Sequence, residues 1–365
     1  MSFLSIAVLS VAQANAWKTP ITFLPLPTSP DSFVRELGSA DRKFKLEGDT
    51  LTILVRGTGE KMYFRGTVDI PLQRLAGTQV WLAQMKYPHW EEAFFSYWIS
   101  DSPGWKEGVQ PSFWFGKKAP KQLKAAKTLQ GKLWEEKVQS QAHGAARKVT
   151  VYVPPGATPK LPALYLADGQ GCEGFARVLE PLILAKKVRP VAIVGVHCGE
   201  YKGDKAAYDF ELDFRAREYL KAFQKEDYGK HVKFFFDEVT QWATAKFQLS
   251  SSREDRAIAG FSNGGAFALT ASTERPEVFG HVISMSVAAT NFDDFKKSFR
   301  TGPAPSYHFA AGRLEPFIAN TQKAHEVLLE ANIKSQFQAY ESGHETEMWK
   351  IHTMAELQKF FPAKD

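Results

Sequence analysis

The chain of 365 residues has only two cysteines, Cys172 and Cys198. Two thiols exclude a disulfide-stapled mini-protein and a four-cysteine zinc site. No stretch holds eighteen or more consecutive apolar residues, so no membrane-spanning helix is expected. Internal repeats and low-complexity tracts are also missing. Acidic excess is absent too: 46 Lys and Arg stand against 40 Asp and Glu, a formal charge of +6. Many of the lysines crowd into GKKAPKQLKAAK (116–127), which has no interleaved aromatics and reads as a solvated connector. Nucleic acid is therefore not an expected partner, while the basic balance mildly favours anionic small substrates.

What is present is globular. Hydrophobic residues make up 44% and charged residues 24% of a chain longer than one core usually serves, so two domains are expected. Residues 1–16, MSFLSIAVLSVAQANA, join a short apolar run to the small-x-small pattern Ala14-Asn15-Ala16, the arrangement of a cleaved signal peptide, although no basic residue precedes the run. A secreted or periplasmic location follows. In such a compartment Cys172 and Cys198, each just beyond an apolar run, could pair; two free, half-buried thiols are the alternative.

Residues 30–115 alternate in short aromatic-rich pieces broken by Gly, Pro and Asp, which predicts antiparallel strands and a small β-sandwich. Trp81, Trp90, Trp98, Trp105 and Trp114 either face a ligand or form the core of that sandwich. A linker over 116–134 leads to a second domain at 135–365. There KVTVYVP, LPALYLADG and PVAIVGVHC are continuous apolar runs of the kind that buried parallel strands require, and helical segments separate the later ones. The predicted fold class is α/β.

In that second part AIAGFSNGGAFAL (257–269) contains G-x-S-x-G with an apolar strand before it and a helix after it. Small residues at Gly260 and Gly264 let the chain turn sharply and project the Ser262 hydroxyl from the sheet edge, at a helix N-terminus that favours developing negative charge. A serine hydroxyl needs a base and an acid, in the chain order Ser, Asp or Glu, His. His344 lies in a Gly-flanked loop after the last predicted strand, and Glu315 follows the strand before; Asp293 and Asp294 are the rival acids. His308, His281 and His325 fall in or beside strand and helix patterns and read as structural. The backbone N–H of Asn263 is one expected oxyanion donor, and the loop ADGQGCEGF offers Gly169 or Gln170 as the other.

The same loop matches G-x-G-x-x-G at Gly169, Gly171 and Gly174, the dinucleotide fingerprint, so an NAD-dependent enzyme is a remote alternative. Against it, Asp168 would set an anion beside a pyrophosphate, and Ser262, Glu315 and His344 would go unexplained. A non-catalytic carbohydrate- or partner-binding protein is the other remote class.

The stretches ARKVTVYVPPG (146–156), LPALYLADGQG (161–171), RAREYL (215–220), AGFSNGG (259–265), AAGRLEPF (310–317) and ESGHETEMW (341–349) together resemble the esterase D and enterochelin-esterase-like family of α/β-hydrolases. The resemblance implies an α/β-hydrolase domain with Ser262 as nucleophile, Glu315 as acid and His344 as base. It casts Arg217 and Glu218 as organisers of the loop flanking the site. The β-rich N-terminal part loosely resembles the module that precedes the hydrolase domain in enterochelin esterases. The expected function is a serine esterase working through an acyl-enzyme, with no cofactor and no metal. Its substrate would be a small-molecule or carbohydrate-linked ester, aromatic and anionic, such as a catecholate siderophore ester; feruloyl and acetyl-sugar esterases share the same core.

Overall fold

A computed structural model of the chain describes residues 19–26, 31–102, 109–203, 209–288, 290–300 and 302–363. The expected signal segment 1–16 and Trp105 lie outside the described residues. Among these residues no helix is long and apolar enough to cross a membrane.

The aromatic-rich first part folds as strands β1 (Thr22–Phe23), β2 (Arg42–Glu47), β3 (Thr50–Arg56), β4 (Met62–Gly66), β5 (Ile70–Arg74), β6 (Val80–Lys86), β7 (Phe94–Ser100) and β8 (Ser112–Phe115). Helix α1 (Asp31–Leu37) packs beside β3. Hydrogen bonding joins the strands along one path, β2-β3-β6-β5-β4-β7-β8, with β1 on β6. The path curls until Phe44 of β2 meets Tyr97 of β7, ring centroids 4.9 Å apart.

The strands expected to form a separate sandwich are thus hydrogen-bonded into one curled sheet. Alternation fixes which face of each strand is buried but says nothing about which strand pairs with which. Nor is its core sealed from the rest: Leu314 joins its buried cluster, and Phe94 joins the cluster under the second sheet. Trp81 and Trp90, 4% and 1% exposed, belong to that core, and Trp114 packs against Trp90 and Phe95.

The lysine-rich segment is not a free connector either. Its lysines are exposed, but Ala119, Leu123 and Leu129 pack on the second core, and Arg177 grips the carbonyls of Ala126 and Lys127. Gln130 N and Gly131 N both donate to the buried carboxylate of Glu180.

The second sheet contains β9 (Lys132–Ser140), β10 (Ala145–Val153), β11 (Ala163–Ala167), β12 (Ala192–Val196), β13 (Arg256–Phe261), β14 (His281–Met285), β15 (Ser306–Gly312) and β16 (Ser335–Tyr340), so it begins three residues before the expected boundary at 135. Its order is β16-β15-β14-β13-β11-β12-β10-β9. The central strands are parallel, while β10 runs antiparallel to β12 and β9 to β10. β11, β12 and all but the first residue of β13 are buried, as the unbroken apolar runs require of strands covered on both faces.

The cover is supplied by α2 (Cys172–Leu184), α3 (Phe214–Tyr219), α4 (Lys225–Lys233), α5 (Thr240–Phe247), α6 (Asn263–Glu274), α7 (Phe292–Lys297), α8 (Ile318–Glu330) and α9 (Thr346–Phe360). A widened helical turn, Phe234–Val239, joins α4 to α5 and buries Phe234, Phe235 and Phe236. Both cysteines are free: Cys172 points at the Ile193 carbonyl, and Cys198 at Asp168.

From β11 the chain steps to β12 on one side and later returns to β13 on the other. The C-terminal ends of β11 and β13 therefore flank the switch in strand order, where open α/β sheets place their sites.

Candidate active site

At the end of β13 the chain turns into α6 through Ser262, whose φ of 57° and ψ of −126° lie where a side chain is strained. The glycines around it are required by close contact. A Cβ on Gly260 would sit 2.1 Å from the Gly264 carbonyl oxygen, and one on Gly265 would sit 2.5 Å from that of Met285. Ser262 N donates to Met285 O at 3.0 Å and Ala288 N to Ser262 O at 3.2 Å, so neighbouring β14 and the loop beyond it hold the strained turn.

Ser262 is 3% exposed, and its hydroxyl has no hydrogen-bond partner among the described residues. Asn263 opens α6, so its amide is among the N–H groups a helix leaves unpaired at its start.

The carboxylate of Glu315, 1% exposed just beyond β15, accepts from Ser286 Oγ at 2.8 Å and from Gly312 N at 2.7 Å on Oε1. Its Oε2 lies 2.5 Å from His344 Nδ1. Because a carboxylate only accepts, Nδ1 carries the proton and Nε2 is left as the acceptor. That Nε2, like the serine hydroxyl, is buried and unpartnered among the described residues.

Trp349 ties the pieces together. Its ring stacks on Phe261 at 4.1 Å, stands edge-on to His344 at 4.8 Å, and donates Nε1–H to Ser286 Oγ at 2.8 Å. Asp293 and Asp294 sit elsewhere, exposed in the first turn of α7, where Asn291 caps their amides. His308 pairs with Glu356, His281 bonds Ser306 and His325 bonds Ser335, all structural partners.

The loop after β11 faces the same turn. A Cβ on Gly264 would lie 3.1 Å from Asp168 Oδ2. Asp168, with φ of 61°, is buried and held by both Nε and Nη2 of Arg215 at 2.7 Å, while its amide donates to Tyr219 Oη at 2.8 Å. Gly171 N is taken by Asp168 O, leaving Gly169 and Gln170 as the loop's candidate donors.

The fingerprint glycines have a different use here from phosphate binding. A Cβ on Gly169 would strike Gly195 O at 2.4 Å, but one on Gly174 would meet only the Lys350 side chain at 3.6 Å, without the close helix-strand packing that a dinucleotide fold demands of its third glycine.

The arginine that meets this loop is Arg215; Arg217, expected to organise it, bonds Asp227 and the Glu211 carbonyl instead. Glu218 accepts from Gly199 N at 2.6 Å and from Arg147 at 2.7 Å. Sequence reasoning missed Arg215, although helical spacing places it, and not Arg217, on the face of Glu218 and Tyr219. It also missed Ser286, and gave no role to Trp349, the last residue of ESGHETEMW. Among the described residues, His143, Glu218 and His231 bring donor atoms within 4.8 Å of one another, but the carboxylate is already matched by Arg147.

One turn along α6 from Ser262, at Ala266, a cleft of about 480 Å³ opens. Tyr219, Phe223 and Phe295 give it apolar walls, and Lys225 and Arg300 lie beside the paired Lys221 and Lys297.

Comparison with solved structures places the chain beside enterobactin esterases. The enterobactin esterase of Shigella flexneri, crystallised in the presence of enterobactin, has 16% identity and a TM-score of 0.68 over 92% of this chain and 99% of that one. The ferric enterobactin esterase of Salmonella typhimurium has 15% identity and a TM-score of 0.69 over 90% and 98%. A ferulic acid esterase of Anaeromyces mucronatus, in complex with ferulic acid, has 15% identity and a TM-score of 0.52 over 64% and 92%. At these identities the likeness establishes the fold. No curated protein matches by sequence. The Esterase family model ("Putative esterase") matches residues 140–360. Spanning well over half of the chain and both sides of the Ser262 turn, that match makes this protein a member of the esterase family and a carboxylic ester hydrolase.

Proposed function

We propose that the enzyme is a serine esterase in which Ser262 is the nucleophile, His344 the base and Glu315 the acid. The observation that carries the reading is the Glu315–His344 contact at the sheet edge where Ser262 is held in its strained turn. His344 Nε2 takes the serine proton as Oγ attacks the ester carbonyl, and Glu315 balances the imidazolium. The N–H of Asn263, with that of Gly169 or Gln170, meets the oxyanion. The leaving alcohol takes the proton from His344. An acyl-enzyme remains, which water, deprotonated in turn by His344, releases. Closure of Ser262 onto Nε2 belongs to the substrate complex, since such bonds often tighten only there.

The favoured substrate is a bulky aromatic, anionic ester of the catecholate siderophore type. Supporting it is the full-length likeness to structures of enterobactin esterases; the aromatic-walled cleft beside α6, lined by Lys225, Arg300 and Asp294 but by none of Ser262, Glu315 and His344, is the neighbouring space. The second reading, a feruloyl or acetyl-sugar esterase, draws on the core-only likeness to a ferulic acid esterase. Location in the periplasm or outside the cell follows from residues 1–16.

A panel of a ferric and an iron-free catecholate trilactone, methyl ferulate, acetylated xylan and short p-nitrophenyl esters, compared by kcat/KM, decides between them. Ser262→Ala should cost on the order of 10⁴-fold or more in kcat. Wild-type turnover in folded Ser262→Ala would overturn the mechanism, and a preference for short alkyl esters would overturn the substrate.

A further inference from the structure

The loop that carries His344 is gripped from outside the catalytic sheet. Between β16 and α9, Phe94 N of β7 donates to Glu341 O at 3.0 Å, and Ser96 N donates to Glu345 Oε2 at 2.5 Å. Tyr87, the first residue after β6, donates its hydroxyl to Glu341 Oε2. The fit leaves no slack: a Cβ on Gly343 would lie 2.2 Å from Thr67 Cγ2.

From the opposite side the segment bearing Glu315 presses on the same loop. Leu314 N donates to Ser342 O at 2.9 Å, Arg313 Nε meets Glu341 Oε1 at 3.0 Å, and a Cβ on Gly312 would sit 2.0 Å from Ser342 O. The five residues around His344 are thus clamped between the first sheet and the loop of the carboxylate that bonds its imidazole.

Glu345 is the centre of this clamp. It follows His344 directly, is 3% exposed, and has both oxygens engaged, Oε2 by Ser96 N and Oε1 by Ser342 Oγ at 2.7 Å. Burying a carboxylate among uncharged donors is costly unless both its oxygens are met. Of its two bonds, the one from Ser96 N ties the loop to strand β7, and the one from Ser342 Oγ ties the two sides of His344 to each other.

We propose that the N-terminal sheet is a brace for His344, and that Glu345 is a positioning residue that aims the imidazole through the Ser96 amide. This rests on the assignment of His344 as base. Proton transfer tolerates little error, and misplacing a group by about 1 Å can cost on the order of 10²-fold in rate. A brace of this kind gives the first sheet a catalytic consequence without its touching substrate, in keeping with the burial of Trp81 and Trp90.

The test uses the full chain and compares Glu345→Ala, Glu345→Gln and Tyr87→Phe with wild type. Three quantities are read: the rate of Ser262 phosphonylation by a p-nitrophenyl phosphonate, kcat and KM on p-nitrophenyl acetate, and the downfield proton resonance of His344 Nδ1. Glu345→Ala should lose on the order of 10²-fold in phosphonylation and kcat with KM little changed, and its Nδ1 resonance should shift or broaden. Glu345→Gln should stay within about threefold of wild type, because its amide oxygen accepts the same Ser96 N–H. Burial already pushes the Glu345 carboxyl up to about 7, so the uncharged form is native to the site.

Wild-type rates and an unshifted resonance in Glu345→Ala, with only thermal stability lowered, would overturn the brace. Should that variant not fold, Tyr87→Phe decides: a reduced rate and a moved resonance support the proposal, and wild-type values overturn it. Failure of the wild-type enzyme to be labelled at Ser262 would instead overturn the esterase mechanism, while the His344 resonance would still report the brace.

Discussion

Glu315 Oε2 and His344 Nδ1 meet at 2.5 Å although 29 positions separate them in the chain. Each residue sits in the loop that leaves one of two paired parallel strands, β15 and β16, at the same edge of the sheet. The carboxylate is itself fixed by Ser286 and the Gly312 amide, so the imidazole is oriented by a group that cannot swing away.

Glu315→Gln should therefore lower kcat by about 10⁴-fold, because an amide can neither hold the required tautomer nor balance an imidazolium. Asp293→Asn, on the exposed first turn of α7, should leave kcat within about twofold. Steady-state kinetics on one activated ester checks both, and the reverse ranking would move the acid to the loop after β14.

Gly260→Ala should cost about 3 kcal/mol or more, since its Cβ would meet the Gly264 carbonyl oxygen at 2.1 Å and backbone cannot step aside. Gly229→Ala, in α4 with nothing within 4 Å, should instead gain up to about 1 kcal/mol. Denaturant melts of the pair test whether the glycines of the Ser262 turn are steric requirements.

Arg215→Met should be strongly destabilising, by about 3–5 kcal/mol, because it leaves the buried Asp168 carboxylate unmatched. Adding Asp168→Asn should recover part of that loss. A double-mutant cycle with purely additive effects would show that the pair does not hold the loop as the geometry indicates.

The buried Glu345 makes a pH signature. Its carboxyl, pushed up to about 7 from 4.5 by burial and by the nearby Glu347 carboxylate, and drawn down by its bonds to Ser96 and Ser342, keeps its proton in the folded state while the unfolded chain releases it. The folded state then binds more protons, so this contribution is full below about pH 4.5 and is lost as pH rises through about 7. Relative to Glu345→Gln, wild type should lose melting temperature progressively across that window. A constant difference between the two from pH 4.5 to 7 would contradict it.

The α/β arrangement and the Ser262 turn were legible in the sequence because both depend on local rules. Parallel strands covered on two faces need unbroken apolar runs, and a strand-to-helix turn of this sharpness needs glycine at position 260; the second backbone contact that excludes a Cβ falls at Gly265, while Gly264 meets only side chains, from 3.1 Å. Glu315 and His344 were legible through chain order, since each follows its own strand. That Asp293 and Asp294 lie on an exposed helix, and that Glu315 is the carboxylate beside the imidazole, is visible only in three dimensions.

Other features belong to the tertiary structure alone. RAREYL offers two arginines; helical spacing separates their faces, but that the face of Arg215 is the one turned to Asp168 depends on the packing of α3. Ser286, Trp349 and Glu345 act through partners 29, 63 and 249 positions away, and no short pattern encodes a contact at such separation. How the strands of the first sheet pair is hidden from the sequence for the same reason. Alternation along a strand determines which side chains turn inward, a property of one segment, whereas the seating of β7 on the His344 loop depends on two surfaces that meet only after both have folded.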